Sequence, residues 1–459
     1  MLSQESIENF KNNLRGQLIQ PSDPEFEEAR KVYNGMIDKK PLMIARCLDV
    51  ADVMSAINFG RENKLLTAIR GGGHNGPGLG TCDDGLVIDL SLMKGLRVNP
   101  KTKTVSVEPG CTQGDMDHAC HAFGLAVPAG IVSTTGVAGL TLGGGHGYLS
   151  RQHGLTIDNL LEVDMVLADG SFVTANENQN EDLFWAVRGG GGNFGVVTNF
   201  VFQAHPVKMI YGGLVFWDIN HGKQVMQWYR DFQKKAPVEL CTFLGLKRVP
   251  ATAPFPEEIW GEKICALISC YNGPQEAGEK AMKPIFDELP QPIFQHVGEM
   301  PFTMIQSLFD PLLPKGLQWY WKGDFIKELS DEAIDIHLKY AEKSPTPMSL
   351  VHLYPIDGAV HHVAPQDTAW SCRDATWSMV IAGIDPDPSN ADALKKWGRE
   401  YWQAIHPHGW GAAYVNFMME EGEDRIKASY GINHQRLASI KKKYDPNNFF
   451  RVNQNIKPE

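Results

Sequence analysis

The sequence predicts an α+β fold, and three observations carry the prediction. Its first 200 residues read as short strand-forming runs broken by turns, with a few helices and no regular strand–helix alternation. Glycine is concentrated there and thins out from about residue 210 to 410, where tryptophan, proline and long helical stretches take over. A length of 459 residues allows two or three domains at roughly 150 residues each, so the change of composition is a natural boundary.

Asp49 to Asn63 carries apolar residues at Val53, Ile57 and Phe59, consistent with a helix between two strands. Leu65–Arg70, Leu86–Leu90, Thr104–Val107 and Leu161–Leu167 are strand candidates by length and β-branched content. Ala168-Asp169-Gly170 is a tight turn leading into a further strand. Beyond residue 210, Ser330 is placed to cap a helix over Ser330–Glu342 that has acids in its first turn, and Asn390–Ala404 is rich in helix formers.

Composition excludes several classes. With 43 Lys+Arg against 54 Asp+Glu, a net charge of −11 argues against a broad nucleic-acid surface. No apolar run reaches the ~18 residues of a membrane span, and MLSQESIENFKNN lacks the apolar core of a secretory signal, so a cytoplasmic location is expected. Eight cysteines without a CxxC suggest neither a disulfide scaffold nor a zinc finger. Asp117, His118, Cys120 and His121 form a metal-like cluster on paper, but they lie on a probable helix without a companion ligand set. His361-His362 and His406-Pro407-His408 do no better, and no metal is expected.

The 45 glycines are the unusual feature of the composition, above the ~7% of ordinary proteins. They gather at Gly71–Gly73 with Gly76, Gly78 and Gly80, at Gly143–Gly145 with Gly147, and at Gly189–Gly192 with Gly195. Glycine at strand ends lets backbone N–H groups approach a pyrophosphate with no Cβ in the way. Three clusters separated by about 70 and 45 residues suggest one long nucleotide ligand touching several loops. Gly143-Gly144-Gly145-His146-Gly147 lacks the spacing of a dinucleotide fingerprint, and no GxxxxGK[ST] occurs.

In Arg70-Gly71-Gly72-Gly73-His74-Asn75 a single imidazole projects from a glycine turn that can press against a flat ligand. Imidazole can add to the electrophilic methyl carbon of an oxidised flavin and tether it. RGGGHN, Pro128–Asn159 (PAGIVSTTGVAGLTLGGGHGYLSRQHGLTIDN) and Ala168–Thr198 (ADGSFVTANENQNEDLFWAVRGGGGNFGVVT) together resemble the flavin domain of the vanillyl-alcohol-oxidase superfamily. The closest branch is the berberine-bridge-enzyme-like oxidoreductases. Tyr414-Val415-Asn416, Tyr430-Gly431-Ile432-Asn433, Tyr444-Asp445-Pro446 and Asn453–Ile456 extend the resemblance to the chain end.

The resemblance implies an FAD-binding domain from residues 1–208 and 411–459, with a substrate domain, an antiparallel sheet covered by helices, inserted over 209–410. It places His74 where relatives bond the flavin 8α carbon. Many relatives add a second tether from a cysteine in a Gly-x-Cys-x-Thr stretch; here Gly130-Ile131-Val132-Ser133-Thr134 offers valine, so one covalent link is expected. Arg70 to Asn75, Ser133, Thr134, Thr135, Gly136, Gly139, Gly143 and Gly147 should wrap FAD, completed by Gly195, Val196, Val197, Tyr414 and Asn416. Thr135 stands where fast oxidases often carry a small aliphatic residue, which leaves oxygen reactivity open.

For the proton that accompanies hydride removal, relatives use an acid or tyrosine in a base-Pro-x-x-Gly stretch. Tyr354-Pro355-Ile356-Asp357-Gly358 matches it and makes Tyr354 the first candidate base. A second catalytic tyrosine of relatives is replaced by Phe417. His153 replaces a tyrosine found beside the flavin and is a second candidate base, with an ordinary pKa near 6.5; the alternative is a loop hydrogen bond. Trp319 and Trp321 should face away from Tyr320, to stack on substrate or fill the core. The resulting reading is an FAD-linked oxidase, singly tethered at His74, acting on a carbinol or amine carbon of a small hydroxylated metabolite or sugar with oxygen as acceptor. A dehydrogenase with another acceptor and a non-redox flavoprotein cyclase are the alternatives.

Overall fold

The computed structural model describes residues 2–459, and the strands among them form four sheets. The first holds Gln17–Ile19, Met43–Arg46, Leu86–Asp89 and Thr67–Arg70 in that order. Met43–Arg46 and Thr67–Arg70 both run parallel to Leu86–Asp89 between them. Helix Val50–Glu62 joins the outer two, so one βαβ crossover exists in a region without regular alternation. Asp49 starts that helix by accepting from the amides of Ala51 and Asp52, and Val53 and Ile57 bury onto Met43, Ala45 and Ile88.

The second sheet is antiparallel, in the order Leu96–Asn99, Thr104–Val107, Val196–Gln203, Leu160–Val166, Phe172–Asn176. The turn at Ala168–Gly170 connects its last two strands, with Gly170 at φ +86°.

A seven-stranded antiparallel sheet spans residues 209–385. Its central pairings are Leu240–Arg248 with Leu350–Pro355, and Leu350–Pro355 with Trp377–Asp385. Alternation along each strand separates two cores. One face packs Leu244, Leu246, Leu353 and Ile381 against helices Gly222–Gln233, Asp331–Glu342 and Ala391–Ile405, through Tyr229, Ile334 and Tyr401. The opposite face presents Phe243, Tyr354 and Val380 to Ile131, Tyr148 and Leu149 of the N-terminal half. Ser330 caps the middle helix by accepting from the Ala333 amide.

The C-terminal helix His434–Tyr444 returns to the first half, where Leu437 and Ala438 share a core with Phe184 and Trp185. Lys441 Nζ is fully buried there and donates to Asp445 Oδ2 at 2.6 Å and to the carbonyls of Asn193 and Phe450. All eight cysteines are free and buried. Among the described residues, no helix is long and apolar enough to cross a membrane.

Candidate active site

The glycine loops and the cavity face of the seven-stranded sheet do not close on each other. They bound a cavity of about 340 Å³, within the ~300–1,000 Å³ of a small-ligand pocket, that opens to solvent at its mouth. Arg70–Asn75 leave the end of strand Thr67–Arg70 and line one side, with Thr135, Gly136 and Gly139 beside them. Gly195, Val196 and Val197 line the deep end, joined by Gly191 and Gly192.

Close backbone approach explains two of these glycines. A Cβ on Gly72 would lie 2.5 Å from both Cα and N of Gly136, so the two loops meet main chain to main chain. Arg70, at the root of the first loop, is held by Asp89 at 2.8 Å. Tyr414 Oη accepts from the Gly145 amide at 3.0 Å and from Asn416 Nδ2 at 2.8 Å, while Asn416 also donates to the Gly139 carbonyl. These bonds tie the C-terminal segment to the second glycine loop.

His74 stacks on Tyr33 with ring centroids 3.8 Å apart. Its Nε2 meets Thr134 Oγ1 at 3.0 Å, and Thr135 Oγ1 lies 3.5 Å from Nδ1. Burial pushes its pKa down to about 4, which keeps the imidazole neutral at pH 7. Across the cavity, strand Leu350–Pro355 presents His352 and Tyr354 on one face, two residues apart. Tyr354 Oη pairs with His352 Nδ1 at 2.9 Å. Burial raises the Tyr354 phenol well above its ordinary pKa, and burial with the charge of Lys247 pushes His352 down to about 3.

His146 lies beside them: its ring is 5.2 Å from Tyr354 and 4.6 Å from Tyr414, and its Nε2 meets Ser378 Oγ at 3.1 Å. Burial holds it near pKa 3. Phe417 closes this cluster at 5.7 Å from Tyr354, and Trp319, Trp321, Phe309 and Leu313 form an apolar wall.

Two family models match: an FAD binding domain over residues 41–176, and a "berberine and berberine like" segment over residues 413–457. An FAD-linked oxidoreductase of Dictyostelium discoideum is 33% identical over 98% of this chain and 97% of its own. The chain belongs to the berberine-like FAD-linked oxidoreductases. The solved structure of 6-hydroxy-D-nicotine oxidase from Arthrobacter nicotinovorans superposes with a TM-score of 0.87 at 24% identity, covering 97% of this chain and 98% of that one. A chitooligosaccharide oxidase gives 0.85 at 24% identity, over 99% and 100%. These likenesses show the fold that this FAD-linked oxidoreductase shares with both solved proteins.

The cavity of this berberine-like enzyme suits the cofactor by its own chemistry. Arg70 Nη1, Gln113 Oε1 and Asn453 Oδ1 are buried polar atoms on its wall without a protein partner. Buried donors and acceptors rarely stay unpaired, and a dinucleotide supplies both kinds of partner. Arg70 offers a guanidinium to phosphate oxygens.

Of the residues singled out in the sequence, most border the cavity, and five do not. Ser133 and Thr134 are outside the lining, although the Thr134 hydroxyl meets His74, which is part of it; Ser133 donates its hydroxyl to Asp310 and its amide to the same carboxylate at 2.9 Å. Gly143 and Gly147 are packing positions: added Cβ atoms would meet Asn416 Nδ2 at 2.5 Å and the Ala129 carbonyl at 2.0 Å. His153 ends the short helix Ser150–His153, which carries it away from the cavity to stack on His205 at 3.9 Å. That placement removes His153 from contact with a cavity ligand, which a base requires. Gly143-Gly144-Gly145-His146 repeats the pattern of Gly71-Gly72-Gly73-His74, a local signal that points to His146 as well. His352, two residues before Tyr354 on the same strand face, carried the same kind of signal. Trp319 and Trp321 line the cavity, whereas Tyr320 turns to Arg399, whose Nε donates to its hydroxyl at 3.1 Å. Asp117 and Cys120 are buried on helix Gln113–His121, with Asp117 accepting from Gln306 at 3.1 Å.

Proposed function

We propose that this FAD-linked oxidoreductase is an oxidase for a neutral, largely apolar or aromatic alcohol, with the flavin tethered once, through His74. The observation that carries the substrate class is the composition of the wall. Among the described residues, Tyr354 with its partner His352 is the acid–base group on the sheet side, and neither carboxylate nor lysine lines the cavity. A cationic amine buried there would lack a counter-charge. A carbinol needs only an oxygen acceptor beside an apolar wall, which Tyr354, Trp321 and Phe309 offer.

Bound FAD would supply the hydride acceptor. His74 suits the tether because a neutral imidazole keeps a nucleophilic lone pair and Tyr33 fixes its plane. Tyr354, donating its own proton to His352, turns its remaining lone pairs to the substrate hydroxyl. It accepts that proton as its own passes to His352 Nδ1 and the C–H bond breaks. His146 offers an unpartnered Nδ1 that can hold the substrate hydroxyl. Phe309, Phe417 and Trp321 exclude water from the reacting carbon. Oxygen as the electron acceptor is part of the same proposal, in line with the oxidase names of two like-folded proteins.

An absorbance spectrum before and after acid precipitation tests the tether. Yellow colour should stay with the wild-type pellet and pass to the supernatant in His74→Ala. Release from the unmodified protein would refute the tether alone. Benzylic, allylic and polycyclic alcohols, oligosaccharides and amines are then scored anaerobically for flavin bleaching. Bleaching by amines or sugars but by no aromatic alcohol overturns the substrate class. Faster turnover with an artificial dye than in air overturns the oxidase assignment. Tyr354→Phe should slow bleaching by about 10²–10⁴-fold with the flavin spectrum intact.

A further inference from the structure

On the sheet, strand Leu240–Arg248 runs antiparallel to Leu350–Pro355, with Gly245 opposite His352 and Leu246 opposite Val351. Phe243, Gly245 and Lys247 therefore share the face that carries His352 and Tyr354. The Phe243 and Tyr354 rings meet at 4.9 Å. A Cβ on Gly245 would stand 3.2 Å from His352 Nε2, so the glycine leaves that nitrogen clear. Lys247 is next along the face, diagonal to His352 and within reach of a long side chain.

Lys247 makes no ion pair or side-chain hydrogen bond among the described residues, and its cross-strand neighbour Ile264 is apolar. Its charge nonetheless reaches the His352 ring. Lys247 is partly buried, and desolvation of its amine pushes the pKa down to about 8, so about half of it is free amine at pH 8.

We infer that Tyr354, His352 and Lys247 form a proton relay along this face, with the Lys247 amine the terminal acceptor of the substrate's hydroxyl proton. The inference rests on the alcohol-oxidation reading above. In the step, the substrate O–H proton moves to Tyr354 Oη as the phenol proton moves to His352 Nδ1. The proton on His352 Nε2 passes to Lys247 Nζ, directly or through one water, and leaves an ammonium. The C–H electron pair would leave as a hydride to bound FAD, so the negative charge the cofactor takes up offsets the positive charge left on Lys247. The relay resolves a difficulty at Tyr354, whose phenol is held too high to rest as an anion beside a histidine held too low to keep a proton.

The other titratable groups on this face stay neutral across the relevant range. Burial raises Tyr148, Cys241 and Cys270 and lowers His146 to about 3. Asp310, beside the Phe309 that rests on His352, is engaged by Ser133.

NMR of flavin-loaded protein carrying ¹³Cε-lysine and ¹⁵N-histidine tests the wire without a substrate. The lysine signal missing in Lys247→Arg should titrate near pH 8. The His352 ring nitrogens, protonated at Nε2, should shift with the same midpoint in wild type but not in Lys247→Arg, whose cation cannot give up its proton. Titration of Lys247 near the ordinary lysine value of about 10.4, or a His352 response unchanged in Lys247→Arg, overturns the relay. With an alcohol that bleaches the flavin, the wild-type reduction rate should rise through pH 8. Lys247→Arg should lose that rise and about tenfold in rate at pH 8, with flavin absorbance unchanged. A full wild-type profile in Lys247→Arg overturns the relay but leaves alcohol oxidation standing. If no alcohol bleaches the flavin, the oxidation reading falls and the NMR arm alone decides the wire.

Discussion

His74 and His146 follow the same three-glycine pattern yet meet different surroundings, and both are kept neutral by burial. Glycines beside them divide in the same way, between those the fold needs and those a ligand needs. Gly72 is of the first kind, since a methyl group there would press into the Gly136 backbone at 2.5 Å. Gly72→Ala should destabilise the apo-protein by about 1–3 kcal/mol, read from urea unfolding, and should lower flavin content. Gly139 lines the cavity in helix Val137–Gly143, and a Cβ there meets nothing within 4 Å. Gly139→Ala should therefore leave apo-protein stability unchanged or raise it by up to about 1 kcal/mol. Lost flavin binding in that variant would mark Gly139 as a ligand-facing glycine; retained binding would remove it from the cofactor site. At this scale His74 was legible because local glycines announce a close approach. Lys247 was not, because its role depends on a strand register that no local pattern carries.

Strand Leu350–Pro355 shows what alternation does within an element. Leu353 points into the helix-covered core with no exposed surface, while His352 and Tyr354 face the cavity. Leu353→Ala should cost about 2–5 kcal/mol in denaturant unfolding and leave the flavin tether in place. Tyr354→Phe removes one hydrogen bond and leaves His352 Nδ1 unpaired, a cost of about 1–3 kcal/mol with the larger effect on flavin reduction. Equal losses of stability and tether in Leu353→Ala would mean that the two faces are not separable. Strands such as Thr104–Val107, and the helix begun by Asp49, were legible because caps and β-branched runs act locally. The parallel pairing of Met43–Arg46 and Thr67–Arg70 on Leu86–Asp89 was not, because it joins residues up to 43 apart in the chain. His153 lies off the cavity for a related reason: Gly154, at φ +80°, ends its short helix and the ring turns to His205.

Over the whole molecule, the composition change near residue 210 coincides with the start of the seven-stranded sheet at Met209. The cavity arises only where that sheet meets the glycine loops, so its shape could not be read from either segment alone. The folded chain also buries many histidines, at the cavity and away from it, and this predicts how the molecule responds to acid. Burial lowers His74 and His153 to about 4 and His146, His337 and His352 to about 3. Their unfolded values lie near 6.5. As pH falls from 6.5 toward 3, the unfolded chain binds protons at these five positions that the native state refuses, so stability falls with pH. Asp117 opposes them: burial raises it to about 7, so the native state takes up its proton first and gains stability as pH falls from 7 to about 4. Five groups against one leave net destabilisation below pH 6.5, and the carboxylates stabilised by partners, such as Asp89 beside Arg70, add to it below their ordinary range. The urea midpoint of the apo-protein should decline steadily from pH 6.5 to 4.5. His337→Gln should flatten that decline without touching the cavity, since His337 is buried on the helix-covered side against Tyr401. A midpoint independent of pH over that interval would show that these imidazoles reach solvent in the native state, and the neutral His74 on which the tether depends would lose its support.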